Sequence, residues 1–125
     1  MNFVVLVIED NEQNLYLMRF LLEKNGFTVE EATDGERGVE MAKKLKPHLI
    51  LLDIQLPKMD GYAVARELRK NGELTNTPIV AVTSYAMVGD RERALEAGAD
   101  GYIEKPIDPE RFIEQIKQHI VPEQN

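Results

Sequence analysis

Five short runs of apolar, mostly β-branched residues alternate along this chain with longer stretches in which apolar residues recur at helical spacing. Such alternation is typical of an α/β sandwich in which helices cover both faces of a parallel sheet. Strands buried on both faces are nearly continuously apolar. The pattern predicts strands at residues 3–8, 27–31, 49–53, 79–82 and 101–104. We therefore expect a doubly wound five-stranded parallel sheet with five helices.

Several predicted helices are bounded by residues that favour helix ends. Gly26 can adopt the left-handed conformation that closes a helix, and Pro47 disfavours helical backbone in the residue before it. Asp108 and Pro109 suit the first positions of a helix. The first helix is therefore predicted to close at Gly26, the second to end just before Pro47, and the last to open at Asp108.

The composition describes one ordinary globular domain. A chain of 125 residues is of a common single-domain size, and no internal repeat or long linker interrupts it. Fifteen Lys and Arg against 22 Asp and Glu give a net charge of −7, which repels nucleic-acid phosphates and acidic membranes. Without Cys there is neither a disulfide framework nor a thiolate metal site. The apolar run at residues 4–8 is too short for a signal sequence or membrane span.

Polar side chains follow or end four of the five predicted strands. In a doubly wound sheet, ligands bind in the crevice outside the carboxyl ends of the strands. We therefore expect the polar groups at these ends to share one crevice. They are Glu9 and Asp10 after the first strand, Asp53 at the end of the third, Thr83 and Ser84 after the fourth, and Lys105, which precedes Pro106, after the fifth.

Three carboxylates in one crevice repel one another, and at least one would hold a proton at neutral pH unless a cation compensates them. An all-oxygen set of carboxylates and a backbone carbonyl, without His or Cys at ligand spacing, points to Mg²⁺ or Mn²⁺. Lys105 and Thr83 add donors for the oxygens of a phosphoryl group. Asp53 then supplies the nucleophilic carboxylate for an aspartyl phosphate.

Four motifs carry a resemblance to a known family. They are IEDN at residues 8–11, LLDIQLPKMDG at 51–61, VTSYA at 82–86 and YIEKP at 102–106. In this order, spread over the whole chain, they resemble the receiver domains of two-component response regulators, and among these the stand-alone receivers of the DivK type. The resemblance implies a flavodoxin-like fold with strand order 2-1-3-4-5. It also implies one receiver domain over residues 1–125, with no output domain.

The resemblance implies an acceptor and a metal site at the end of the third strand. Asp53 is the implied phosphoacceptor, and Asp10 and Asp53 would ligate Mg²⁺ together with the backbone carbonyl of Gln55. Glu9 would act mostly through metal-bound water. Gln55 and Tyr85 occupy variable positions that, in this family, influence how quickly the phosphoryl group is lost.

A second set of residues is implied to respond to the phosphoryl group. Lys105 would contact it, Thr83 would move toward its oxygens, and Tyr102 would rotate inward behind Thr83. These movements would change the face built from the fourth helix, the fifth strand and the fifth helix. The Lys105–Pro106 peptide bond is expected to be cis in this family, although only about 5–6% of X-Pro bonds in folded proteins are cis.

By this resemblance we expect a cytoplasmic single-domain response regulator that is not an enzyme, although it would promote its own phosphorylation and dephosphorylation. It would accept a phosphoryl group on Asp53 from a histidine kinase or a histidine phosphotransfer protein and then switch protein partners in a signalling phosphorelay. The donor is expected to dock on the first helix, with Tyr16 and Leu17 as exposed contacts. The downstream target is expected to be a protein, with no direct nucleic-acid binding and no membrane insertion.

Other functions fit the sequence less well. A phosphohydrolase of the haloacid-dehalogenase type would carry a second acid two residues after its nucleophile, where this chain has Gln55. A flavodoxin-like electron carrier would wrap the flavin phosphate in Ser, Thr and Gly, whereas residues 9–12 read Glu-Asp-Asn-Glu. Two alternatives stay open: an unphosphorylated pseudo-receiver that serves as an interaction module, and a receiver fragment of a hybrid histidine kinase.

Overall fold

The computed structural model describes residues 3–56, 59–84 and 88–120. Within them, five strands form one parallel sheet in the order β2-β1-β3-β4-β5. The strands are β1 (Val4–Ile8), β2 (Thr28–Ala32), β3 (Leu49–Asp53), β4 (Ile79–Thr83) and β5 (Gly101–Glu104). The helices are α1 (Glu12–Lys24), α2 (Gly35–Leu45), α3 (Gly61–Lys70), α4 (Asp90–Ala97) and α5 (Phe112–Lys117), with a 3₁₀ helix at Gly72–Leu74. The predicted fold class and strand order are confirmed, and no helix in the described ranges is long and apolar enough to span a membrane.

Each face of the sheet buries its own apolar cluster. In β1, Val5 and Val7 pack with α1 and α5, whereas Leu6 and Ile8 pack with α2, α3 and α4. Strands covered on both faces are nearly continuously apolar, as β1, β3 and β4 are. β2 lies at the edge of the sheet, which explains why its sequence TVEEA is less apolar.

The bounds of three strands differ from the prediction. β1 begins one residue later, and β2 runs from Thr28 to Ala32, which is one residue further along the chain. β4 extends through Thr83, because the Lys105 N–H donates to the Thr83 carbonyl at 2.7 Å and continues the ladder with β5. Thr83 is therefore held by the sheet.

Two of the three predicted helix ends agree with the structure. Gly26 has a φ of +88° directly after α1, and Lys46 closes α2 in a left-handed conformation. The predicted opening of the last helix at Asp108 is wrong, since α5 begins at Phe112. The Asp108 carboxylate accepts the Glu110 N–H at 3.0 Å and caps a turn at residues 109–111, which separates Asp108 from α5.

The start of α3 is fixed against the end of β3. The Gly61 N–H donates to the Ile54 carbonyl at 3.0 Å. A Cβ at position 61 would lie only 2.7 Å from the Asp53 carbonyl oxygen, so glycine permits this close approach. The Asp60 carboxylate caps the helix by accepting the Ala63 N–H at 2.9 Å. Asp53 is thus anchored from the helix side as well as by the sheet.

Candidate functional site

Three carboxylates meet at the carboxyl end of the sheet. β1 and β3 are neighbours, with Ile8 opposite Leu52, so the acidic residues at their ends come together. Glu9, Asp10 and Asp53 each place a carboxylate oxygen within 4.8 Å of the others. Glu9 is 0% exposed and Asp53 is 3% exposed, whereas Asp10 is open to solvent. The cluster is therefore partly buried and accessible from one side.

Lys105 is the cation that faces this cluster. Its side chain is 8% exposed, and its ammonium lies 2.8 Å from Glu9 Oε1 and 3.6 Å from Asp53 Oδ1. The Lys105–Pro106 peptide bond, which follows β5, is cis. One ammonium cannot neutralise three ionised carboxylates, so the cluster keeps an attraction for a further cation.

Burial raises the pKa of Glu9 from its usual 4.5 to about 7. The main cause is desolvation of the carboxylate, and the hydrogen bond and negative charge of Asp53 add to it. The Lys105 ammonium acts in the opposite direction but does not offset both effects. Without a metal ion, Glu9 is therefore partly protonated near neutral pH.

Titration of Glu9 alone should lower the free energy of unfolding of the metal-free protein as the pH rises from about 4.5 to about 7. In this window the folded state binds more proton at Glu9 than the unfolded state does, so the free energy of unfolding falls with pH. The contribution is on the order of 2–3 kcal/mol over the window. Urea unfolding in EDTA, carried out on the wild type and on Glu9→Gln at each pH, measures this contribution as the difference between their free energies of unfolding. A difference that stays constant with pH would contradict the raised pKa.

The side chain of Gln55 links the end of β3 to the end of β4. Its backbone N–H donates to Asp53 Oδ1 at 2.9 Å. Its side-chain amide donates to Thr83 Oγ1, while its Oε1 accepts the Ser84 N–H at 3.0 Å. The sequence assigned Gln55 a backbone carbonyl ligand and an influence on the rate of phosphoryl loss, but it did not predict these hydrogen bonds of the side chain. The one available signal was an amide side chain two residues beyond a strand that ends in Asp.

Tyr102 occupies a half-buried position against the apolar cluster shared with α3 and α4. Its hydroxyl is buried and finds no hydrogen-bond partner among the residues the structure describes. Burial raises the Tyr102 pKa, and the Asp90 carboxylate of α4 raises it further. Tyr102 therefore lies beside α4, the helix whose face is predicted to change. Tyr85, the other variable position, lies outside the described residues.

The exposed apolar surface of α1 differs from the predicted one. Tyr16 is 71% exposed and Phe20 is 50% exposed, and their rings stack with centroids 6.4 Å apart. Leu17 is half-buried and packs on the cluster beneath α1 and α5, so it is not the exposed contact that was expected. The solvent-facing apolar pair on this helix is Tyr16 and Phe20.

Comparison with known proteins identifies the family of this chain. The response regulator receiver domain matches residues 5–117, and the chain belongs to this family. The polar-differentiation response regulator DivK of Brucella anthropi is 42% identical over 116 residues, which cover 93% of this chain and 94% of that protein. DivK of Brucella ovis is equally similar. The resemblance to stand-alone receivers of the DivK type is therefore confirmed.

Solved structures agree in fold. A CheY-like receiver domain protein from Methanospirillum hungatei superposes with a TM-score of 0.87 at 30% identity, over 94% of this chain and 93% of that one. The receiver domain of a sensor histidine kinase from Pseudomonas aeruginosa has a TM-score of 0.87 at 32% identity, over 94% and 97% of the two chains. That structure holds a magnesium ion coordinated in its active-site cleft.

Proposed function

We propose that this protein accepts a phosphoryl group on Asp53 from a histidine kinase or a histidine phosphotransfer protein and then changes its protein partners in a phosphorelay. The observation that carries the proposal is the buried Asp53 carboxylate, which lies in an acidic cluster with the Lys105 ammonium 3.6 Å away. An Asp53 carboxylate oxygen forms a bond to phosphorus as the P–N bond of the donor breaks. The electron pair of that bond stays with the donor imidazole.

The cluster fits a Mg²⁺ or Mn²⁺ ion. Glu9, Asp10 and Asp53 offer only oxygen atoms, within 4.8 Å of one another, and hard divalent cations prefer such ligands. Asp10 and Asp53 would hold the ion with the backbone carbonyl of Gln55, and Glu9 would act through water. When bound, the cation offsets negative charge on the carboxylates and on the phosphoryl oxygens.

Three further residues, Lys105, Thr83 and Tyr102, would respond to the phosphoryl group. Lys105 is held beside Asp53 by its ion pair with Glu9, and from there it can donate to a phosphoryl oxygen. Thr83 would turn its hydroxyl toward another of these oxygens. Tyr102 would then rotate inward and reshape the face of α4, β5 and α5, where a downstream protein binds.

We place this activity in one receiver domain over residues 1–125, located in the cytoplasm, whose output is a protein contact. The net charge of −7 argues against direct nucleic-acid binding. The protein is a phosphoacceptor rather than an enzyme, since the group that it transfers ends on its own side chain.

The stacked pair Tyr16 and Phe20 is the proposed docking surface for the donor, because α1 begins two residues after Asp10 of the cluster. Replacing both with Ala should slow transfer from a phosphorylated histidine donor by about tenfold or more. Transfer from acetyl phosphate should be unchanged, because a small donor needs no docking surface. Leu95→Ala removes an exposed apolar side chain from α4 and is the matched control. Equal slowing with both phosphodonors would contradict the docking role.

The test of the proposed function is intact-mass analysis after incubation with acetyl phosphate. We expect a gain of one phosphoryl group in Mg²⁺ or Mn²⁺ and no gain in EDTA, because the uncompensated carboxylates repel an anionic donor. A protein that binds Mg²⁺ yet gains nothing would then be tested with phosphorylated histidine donors. A folded protein that neither binds Mg²⁺ nor gains mass would favour the pseudo-receiver alternative.

A further inference from the structure

We infer that the side-chain amide of Gln55 is an internal placeholder for the phosphoryl group: it occupies polar groups at the end of β4 and must release them when Asp53 is phosphorylated. The inference rests on the proposed function. It assigns to this side chain a positioning role that acts through Thr83 and Ser84.

The geometry links the amide to both ends of the site. Residue 55 touches the acceptor through its backbone N–H, which donates to Asp53 Oδ1 at 2.9 Å. Its side chain reaches across to β4, where Nε2 donates to Thr83 Oγ1 and Oε1 accepts the Ser84 N–H at 3.0 Å. One residue therefore contacts the acceptor carboxylate and two polar groups on the neighbouring strand end.

The two hydrogen bonds oppose the movement that phosphorylation requires. Thr83 is 1% exposed, so its hydroxyl has little access to water and is held in place by its protein partners. A hydroxyl that accepts from the Gln55 amide is oriented by it and would have to break this bond to approach a phosphoryl oxygen. The Ser84 N–H is already paired with an oxygen acceptor, Gln55 Oε1, in the unphosphorylated protein.

A phosphoryl group can replace the Gln55 amide as a hydrogen-bond partner at the end of β4. A phosphoryl oxygen is an acceptor like Gln55 Oε1, but it is charged, and hydrogen bonds to charged acceptors are stronger than those to neutral ones. Gln55 is only half-buried, so a released amide can hydrogen-bond to water. The phosphoryl group can thus displace the amide without leaving a buried polar atom unpaired.

Beryllofluoride, a non-hydrolysing mimic of the phosphoryl group, separates this role from the rate of phosphoryl loss. With Mg²⁺ present, Gln55→Leu should bind beryllofluoride about threefold to tenfold more tightly than wild type, since no amide has to be displaced. Gln55→Ala repeats the test with a different side-chain volume. In a Thr83→Val background the gain should be smaller, because one of the two displaced bonds no longer exists.

The NMR resonance of the Ser84 backbone N–H distinguishes a positioning role of Gln55 from a general effect of the substitution on folding. In the free state its proton shift should differ between wild type and Gln55→Leu, because only wild type has the Gln55 acceptor. In the beryllofluoride complex the two shifts should agree, because the acceptor is then the same.

Affinity unchanged or weakened in both Gln55 variants would overturn the placeholder role while leaving the proposed function intact. An affinity gain of the same size in the Thr83→Val background would also overturn it. Failure of the wild-type protein to bind beryllofluoride at all would overturn the proposed function and the inference together.

Discussion

An Asp53→Asn variant is expected to gain no phosphoryl group when it is incubated with Mg²⁺ and acetyl phosphate. The amide of Asn has nearly the same shape as the carboxylate but no anionic oxygen with which to attack phosphorus. The fold should persist, because the Asn carbonyl oxygen can still accept the Gln55 N–H that now bonds Asp53 Oδ1. Loss of the Asp53 charge should also lower the pKa of Glu9, which that charge helps to raise.

Intact-mass analysis measures the phosphoryl gain, and a matched substitution controls for the loss of a carboxylate. Asp108→Asn is suitable, because the exposed Asp108 makes a turn bond that an Asn oxygen can also accept. This control should keep the full gain. A phosphoryl group retained in Asp53→Asn would place the acceptor on another residue and refute the assignment.

Lys105→Met is expected to slow phosphorylation by acetyl phosphate by about two orders of magnitude. The methionine side chain has similar length but cannot donate to a phosphoryl oxygen or offset its charge. The same change should strengthen Mg²⁺ binding, since the ammonium now lies 2.8 Å from Glu9 and competes electrostatically with a metal ion. It should also raise the pKa of Glu9 further, because Lys105 is the group that lowers it.

Opposite changes in rate and metal affinity make this prediction specific. A variant that had merely lost its structure would lose both, whereas removal of a catalytic donor should lower only the rate. Lys117→Met, which changes an exposed lysine of α5, should alter neither quantity. Rates come from intact-mass time courses, and Mg²⁺ affinity from calorimetric titration. A Lys105→Met protein that is phosphorylated at the wild-type rate would exclude Lys105 from the transfer.

The positions of the acidic cluster and of Lys105 were predictable because their geometry follows from topology. Parallel strands end at one edge of a sheet, so residues that end or follow neighbouring strands meet there. Glu9, Asp10 and Asp53 do so by virtue of the β1–β3 pairing. The continuously apolar runs predicted the central strands, because a strand that is buried on both faces carries few polar residues on either.

Contacts that depend on the length and rotamer of a side chain could not be predicted from the spacing of residues along the sequence. Whether the Gln55 amide meets Thr83 depends on the distance between the loop after β3 and the end of β4 and on a rotamer, neither of which has a sequence signature. Leu17 and Phe20 both lie on α1, yet Leu17 packs on the apolar cluster that α1 shares with α5, whereas Phe20 is exposed. Asp108 is compatible with a helix start and with a turn, because its side-chain bond to the Glu110 N–H occurs in both.

The two proposed protein-binding surfaces centre on helices that cover opposite faces of the sheet, although α5, which belongs to the output face, packs on the same side as α1. Tyr16 and Phe20 belong to α1, which covers one apolar cluster, whereas Tyr102 packs with α4 on the other. A donor seated on α1 would therefore leave the surface of α4 accessible. A target that contacts only α4 would then not be blocked by the donor, whereas a target that also contacts α5 would lie beside it.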